Sequence, residues 1–303
     1  MSIFKDFVGS LLRINQNGVT PDHSGEQFEE GVEEKGCQSA DPATELIERT
    51  VKTVRNASAK EVGSYAFYGC KNLTRADFSA ATSIADNAFN KCTGLIKVNV
   101  PEVTTIGNSV FSECTGLAEV DFPMLTKAGS NAFAGTSLTK INFPMLTTIL
   151  GYAFASCCNL TEVNLPRLNS TSSSIFSGCT GLTQITLPIV PSLYASAFEM
   201  CTSLVKVDLP ALTSIGESAF YNCAKLATLI LRSETICTLS DARGRTFGGT
   251  LLASGKGYIY VPKALVDTYK AADKWSTYAN QFRALEDYTV DGTITGALDE
   301  TKI

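Results

Sequence analysis

Ten cysteines are the most conspicuous chemistry-bearing residues of this 303-residue chain, and their spacing decides what they can do. Tetrahedral zinc needs Cys or His in close pairs of the CxxC kind. Here Cys70, Cys92, Cys114, Cys157, Cys179, Cys201 and Cys223 follow a 22-residue period with one gap, and the one adjacent pair is Cys157-Cys158. The single histidine, His23, lies in a polar stretch and forms neither a metal cluster nor a nucleophile–base pair. GxSxG, HExxH, GxGxxG and the phosphate-binding P-loop are absent. The carboxylates have no setting that would perturb them recognisably. The reading is therefore of a protein without catalytic residues, metal ligands or cofactor. Like thiols in stacked copies would stand about 5 Å apart, within reach of disulfides. A single row of them would pair off unevenly, so small buried thiols filling the inside of each turn are the better expectation. Cys37 and Cys237 lie outside the row and are the candidates for reactive thiols.

The cysteines belong to a larger period. Phe67, Phe89, Phe111, Phe133, Phe154, Phe176, Phe198 and Phe220 are spaced 22, 22, 22, 21, 22, 22 and 22 apart. Cys stands three residues after Phe in every copy but the 21-residue one, where a single deletion near Gly135 is expected to explain both the short spacing and the missing thiol. Leu73, Leu95, Leu117, Leu138, Leu160, Leu182, Leu204 and Leu226 follow in step, and then two apolar residues flank a spacer, as in Val98 and Val100. That alternation is a short strand with one face buried. Proline closes it at Pro101, Pro123, Pro144, Pro166, Pro188 and Pro210, where no ladder donor is required. One unit cannot bury its apolar side alone, whereas stacked units share a continuous core. Eight coils with strands about 4.8 Å apart make a body of roughly 40 Å.

The unit Leu-x-x-Val-x-x-Pro-x-Val-Thr-x-Ile-Gly-x-x-x-Phe-x-x-Cys reads straight through from Leu95 to Cys114. It resembles the BspA-like class of leucine-rich repeats, over residues 62–231. The resemblance implies an α/β repeat solenoid: a right-handed coil of about eight 22-residue repeats with a parallel sheet, capped at both ends. It also implies a role in binding or display, since the family is known from bacterial cell-surface and secreted proteins, many linked to adhesion, and similar arrays occur in bacteriophages of gut bacteria. It transfers no catalytic residue and no ligand.

The organisation expected is an amphipathic and flexible segment over 1–40, an N-terminal cap over 41–61, repeats over 62–231, an irregular coil with a strand–helix cap over 232–285, and a tail over 286–303. Ile3, Phe4, Phe7, Val8, Leu11 and Leu12 fall at helical spacing, a surface for an oligomer or assembly partner. Asp41-Pro42 reads as a helix start. Val51 and Val54 stand 22 residues before Leu73 and Ala76, so 50–54 reads as a degenerate first coil. After Leu231 the period breaks, with Phe247 coming 27 residues after Phe220. Tyr258-Ile259-Tyr260-Val261 reads as a strand, and a helix carrying Leu265, Tyr269, Trp275, Tyr278 and Phe282 is expected to pack over the final coil. Val290-Asp291-Gly292-Thr293 is a hairpin signal.

Net charge is −5, with no basic excess for nucleic acid, and the acidic residues over 26–34 read as a solvated segment. No stretch reaches the roughly 18 apolar residues of a membrane span. The opening Met1-Ser2-Ile3-Phe4-Lys5-Asp6 does not read as a secretory signal, which sets it apart from the surface or secreted placement the resemblance implies.

What remains for function is the outward face of the strands, in two columns. Arg75, Lys97, Glu119, Lys140, Glu162, Gln184, Lys206 and Thr228 form the first, and Asp77, Asn99, Asp121, Asn142, Asn164, Thr186, Asp208 and Ile230 the second. Such a face is either solvated and satisfied by its own neighbours or a polar ligand surface suited to protein or glycan. No aromatic lies in these columns. The functional expectation is a non-enzymatic recognition or adhesion module. The alternative is a structural or receptor-binding component of a larger assembly, such as a phage tail in a virion, attached through residues 1–60.

Overall fold

The computed structural model describes residues 51–290 and 293–294, with burial described through Tyr288. His23, Cys37, the apolar spacing over 3–12, the acidic stretch, the 15–40 segment and Asp41-Pro42 lie outside the described residues.

The chain is a solenoid of about eleven turns at roughly 22-residue spacing, three more than the eight in-step copies. Each turn has three sides. The first is a short strand whose central residue points inward: Thr53–Arg55, Arg75–Asp77, Lys97–Asn99, Lys140–Asn142, Glu162–Asn164, Gln184–Thr186, Lys206–Leu209 and Thr228–Leu231. Val54, Ala76, Val98, Ile141, Ile185, Val207 and Leu229 are buried at that position. Val54 pairs with Ala76, so the degenerate first coil is in register. The second side is a two-residue strand, seen at Glu61–Val62, Ser83–Ile84, Thr105–Ile106, Lys127–Ala128, Thr148–Ile149, Ser192–Leu193, Ser214–Ile215 and Thr238–Leu239. In each, an outward polar residue is followed by a buried apolar one, and the strands pair in parallel between coils.

The third side carries the Phe. Its N–H donates to the next coil, as Phe89 N does to the Val110 carbonyl at 3.0 Å and Phe111 N to that of Ala132 at 2.8 Å. From Phe67 to Phe220 this ladder holds the residues two before and two after each Phe in the left-handed region, at φ 53–62° for the non-glycines and 70–74° for Gly69, Gly135 and Gly178. The Phe rings form one column with centroids 5.2–5.6 Å apart and planes within 15° of parallel. Phe247 is in that column, 5.5 Å from Phe220, so the five extra residues bulge out without breaking the stack.

The 21-residue copy corrects one expectation. Thr136 occupies the cysteine position: it is buried and its Oγ1 donates to the Phe133 carbonyl at 2.8 Å. The deletion falls one residue later, where Ser137 stands for the Thr115-Gly116 pair of the preceding copy. The missing thiol is thus a replacement, independent of the short spacing.

The C-terminal cap is more broken than a single helix. Lys263–Leu265 and Trp275–Gln281 are 3-10 segments, Val266–Ala271 is the α-helix between them, and Lys274 breaks the chain at φ 62°. Phe282 belongs to a further strand, Phe282–Ala284, paired in parallel with Tyr258–Val261. The bends follow from where the rings must go. Trp275 and Tyr278 close the Phe column at 6.0 and 5.2 Å from Phe247, and Tyr269 packs on Trp275 at 5.5 Å. The Cys237 peptide is held in the same cluster, its N–H donated to Tyr269 Oη at 2.8 Å and its carbonyl accepting Trp275 Nε1 at 2.6 Å. Thr289–Val290 pairs antiparallel with Thr293–Ile294, and the residues of that turn lie outside the described residues.

Candidate functional site

The strand alternation that buries the central residue turns its two neighbours outward. Arg75, Lys97, Asn99, Glu119, Asp121, Lys140, Asn142, Glu162, Asn164 and Gln184 are exposed, and Asp77 is half-buried. The face is divided into panels. One joins Thr53–Arg55, Arg75–Asp77 and Lys97–Asn99, and another joins Lys140–Asn142 to Glu162–Asn164. The third runs from Gln184–Thr186 through Lys206–Leu209, Thr228–Leu231 and Tyr258–Val261 to Phe282–Ala284. Residues 119–121 are outside any strand, so Glu119 and Asp121 project from an unpaired segment rather than from the sheet proper.

Part of the second column is satisfied internally. Asn99 Nδ2 donates to Asp77 Oδ1 at 2.9 Å, Arg55 Nε stands 3.3 Å from Asp77 Oδ2, and Asn164 Nδ2 donates to Asn142 Oδ1 at 2.7 Å. Threonines just before the strands add a second ladder that sequence reading did not single out. Thr74 Oγ1 donates to the Lys52 carbonyl at 2.8 Å and Thr161 Oγ1 to that of Thr139 at 3.1 Å. These bonds stiffen the face and leave the first column, Lys97 to Gln184, presented to solvent.

The C-terminal end differs from expectation. Lys206 and Asp208 are half-buried and Ile230 is fully buried. Asp208 holds Arg232 through two bonds, at 3.0 and 2.8 Å, and that pairing raises the Arg232 pKa. Lys206 Nζ stands 5.2 Å over the Tyr288 ring. The chain's own Tyr288 and Arg232 therefore occupy the Lys206 and Asp208 positions, and the open surface ends near Gln184. Aromatics do enter the columns, because Thr228 pairs with Tyr258 and Ile230 with Tyr260. Tyr258 is exposed, with the Arg283 guanidinium 4.4 Å over its ring. Tyr260 packs on Tyr288 at 4.7 Å, and burial raises its phenol pKa. The missed signal was the 30-residue step from Thr228 to Tyr258, which conceals the register.

The thiols take the structural role. Cys92, Cys114, Cys157, Cys179, Cys201 and Cys223 are free and buried, and each approaches the Phe carbonyl of the preceding coil at 2.8–3.2 Å. Burial pushes the Cys92 thiol up to about 12. Cys70 is the exception in the row, being disulfide-bonded. Cys237 is corrected: it is fully buried and burial raises its pKa to about 12, so it is not a reactive thiol. Cys158 is the exposed free thiol among the described residues. Among the described residues no group of three or more His, Cys, Asp or Glu is placed to hold a metal ion, and no helix is long and apolar enough to cross a membrane.

Stacked parallel strands, a one-ring-per-turn Phe column and a polar outer sheet face define a leucine-rich-repeat solenoid. A BspA-type leucine-rich-repeat region, in six copies, matches residues 50–157 and 126–242. Those matches cover well over half of the chain, which belongs to the BspA-type leucine-rich-repeat family. Its structure is similar to that of a leucine-rich repeat protein from Bacteroides ovatus, at 26% identity and a TM-score of 0.51, over 66% of this chain and 58% of that one. The chain thus spans under two thirds of that protein's length. A T. pallidum leucine-rich repeat protein matches at 27% identity, with a TM-score of 0.43, over 58% of this chain and 78% of that one. A leucine rich cell surface protein from Faecalibacterium prausnitzii matches at 20% identity, with a TM-score of 0.46, over 77% of this chain and 78% of that one. No curated protein sequence matches the chain significantly.

Proposed function

We propose that this protein is a non-enzymatic recognition module that binds a protein or glycan through the outer sheet face, in an adhesive role at the cell surface. The observation that carries the reading is the exposed run Lys97, Asn99, Glu119, Asp121, Lys140, Asn142, Glu162, Asn164 and Gln184, on a scaffold braced by hydrogen bonds between coils. Repeat solenoids present such extended faces as binding surfaces, and a rigid support lowers the entropy lost on association. Mixed charge suits a protein or glycan surface and does not suit a phosphate backbone. Membership of the family supports a repeat-based interaction role.

The test is a screen of the full chain against a glycan array and immobilised extracellular-matrix proteins, followed by a variant changing Lys97, Glu119 and Lys140 to Ala. The expected result is a ligand whose affinity falls at least about tenfold in the variant, the effect of losing one substantial contact. Unchanged affinity would move the site off this face.

A further inference from the structure

The second side of the solenoid carries a recess that the sheet-face reading does not use. Its floor is Gly216, and around it stand Tyr194, Glu217, Ser192, Ser214 and Ser240, enclosing about 330 Å³. The recess arises from the repeat. Ser192 pairs with Ser214 and Ser214 with Thr238, so the outward residues two positions further on are Tyr194, Gly216 and Ser240 in successive coils. At Gly216 the backbone itself packs against the preceding coil, so no side chain stands between Tyr194 and Ser240. A Cβ there would lie 2.6 Å from the Tyr194 carbonyl carbon and 2.7 Å from the Ala195 nitrogen, so this close approach of two coils admits only glycine. Tyr194 is 53% exposed, a large aromatic left in solvent at the rim of a notch.

The polar groups are specific to this coil. At the position of Glu217, the coil of Phe89 carries Asp86, whose Oδ1 accepts the Asn108 N–H at 2.7 Å and whose Oδ2 accepts Asn108 Nδ2 at 3.2 Å. That acid is consumed by the coil that follows it. Glu217 is held differently: the bulge before Phe247 brings up Arg243, whose Nε stands 3.5 Å from the buried Glu217 Oε1 in an ion pair that leaves this oxygen without a hydrogen bond, while the Glu217 side chain as a whole stays 34% exposed. Ser214 Oγ donates to Ser192 Oγ at 2.8 Å, which leaves the Ser192 hydroxyl proton for an outside acceptor.

We propose that this recess is a binding site for a neutral pyranose sugar, stacked on Tyr194 and hydrogen-bonded by Glu217 and the serine pair. A pyranose offers an apolar C–H face to an aromatic ring, and adjacent hydroxyls that both donate and accept. A carboxylate only accepts, so it selects ligand O–H donors and disfavours anionic sugars and phosphates. The volume is at the small end of ligand sites, which begin near ~300 Å³, and suits a single sugar ring. The site is independent of the outer sheet face and survives if that reading fails.

The experiment is saturation-transfer NMR on the full chain with the methyl glycosides of glucose, galactose and mannose and with N-acetylglucosamine. N-acetylneuraminic acid and choline are the charged controls. Binding by at least one neutral sugar is expected, with Kd on the order of 1 mM. It should persist in Tyr194→Phe, disappear in Tyr194→Leu and weaken several-fold in Glu217→Gln. Changing Lys97, Glu119 and Lys140 to Ala should leave it unchanged. The proposal is overturned if no neutral sugar binds, if choline or the anionic sugar binds in place of the neutral ones, or if affinity survives Tyr194→Leu. It also fails if the sheet-face variant abolishes sugar binding. Tyr194 and Glu217 both reach solvent, and an unchanged thermal transition in each variant separates lost binding from lost fold.

Discussion

Two residues in each turn from Phe67 to Phe220 hold a left-handed backbone that ordinary side chains avoid. At the position two after the Phe, the chain uses Gly69, Gly135 and Gly178 in some copies and Lys91, Glu113, Ser156, Met200 and Asn222 in others, at φ 59–62° for the non-glycines. A left-handed L-residue costs roughly 1–2 kcal/mol, part of which glycine gives back as chain entropy. Met200 is 51% exposed, so its side chain contributes little packing, and its N–H bond to the Tyr221 carbonyl at 2.8 Å does not depend on it. Met200→Gly is therefore expected to raise stability by about 0.5–1 kcal/mol, read as a higher urea midpoint at unchanged slope. Met200→Val should lower it, because a β-branched residue fits that region worst. The Phe, Cys and Leu rows were legible as a period of like residues. The left-handed positions were not, because Lys, Glu, Ser, Met and Asn share no side-chain property that marks them.

At the scale of the element, the column of rings needs a lid, and the cap supplies one from buried aromatics with polar tips. Tyr269 and Tyr278 have phenol pKa values raised by burial to about 12, and burial does the same to the thiols of Cys92 and Cys237. In the unfolded chain these groups ionise near their ordinary values, 10.0 for the phenol and 9.0 for the thiol. The folded state thus keeps protons that the unfolded state releases. Their contribution is complete below about pH 9 and is lost as pH rises towards 12. Urea unfolding between neutral and strongly alkaline pH should show stability falling from about pH 9 upward. Tyr269→Phe should flatten the upper part of that fall. It should also cost about 1–3 kcal/mol at neutral pH, because the Cys237 N–H loses its acceptor in a buried site. An alkaline profile identical to that of the parent would contradict this assignment. The aromatic content of 265–282 was visible in the sequence. The broken path of the chain was not, since it is set by the need to lay Trp275 and Tyr278 across Phe247.

At the scale of the whole molecule, each coil touches only its neighbours, so stability is a sum of coil and interface contributions. Phe154 sits near the middle of the column, 5.3 Å from Phe133 and 5.5 Å from Phe176. Phe154→Ala should cost about 3–5 kcal/mol from lost burial and the cavity left behind. The damage should stay local. Amide exchange is expected to quicken in the coils of Phe133 to Phe176 and to remain slow in those of Phe220 and Phe247, with unfolding splitting into two steps. Uniform acceleration along the chain would show a single cooperative unit instead. The same one-dimensional logic explains why a one-residue deletion near Ser137 and a five-residue bulge before Phe247 are both absorbed without loss of the stack.

The sequence by itself determined the repeat unit, its direction of burial and the absorption of most cysteines into the core, because a 22-residue period of buried types has one stable solution, stacking. Only the tertiary structure decided which of the outward residues stay open. Lys206, Asp208 and Ile230 look like the other members of their columns in sequence, yet Tyr288 folds back over Lys206, Arg232 takes Asp208, and Ile230 is fully buried. Tyr258 and Tyr260 join the face, and Gly216 lines a recess beside Tyr194, through register between coils. Register depends on which residues bulge out of the turn. That choice is made by packing around the ring column, and local sequence carries no record of it.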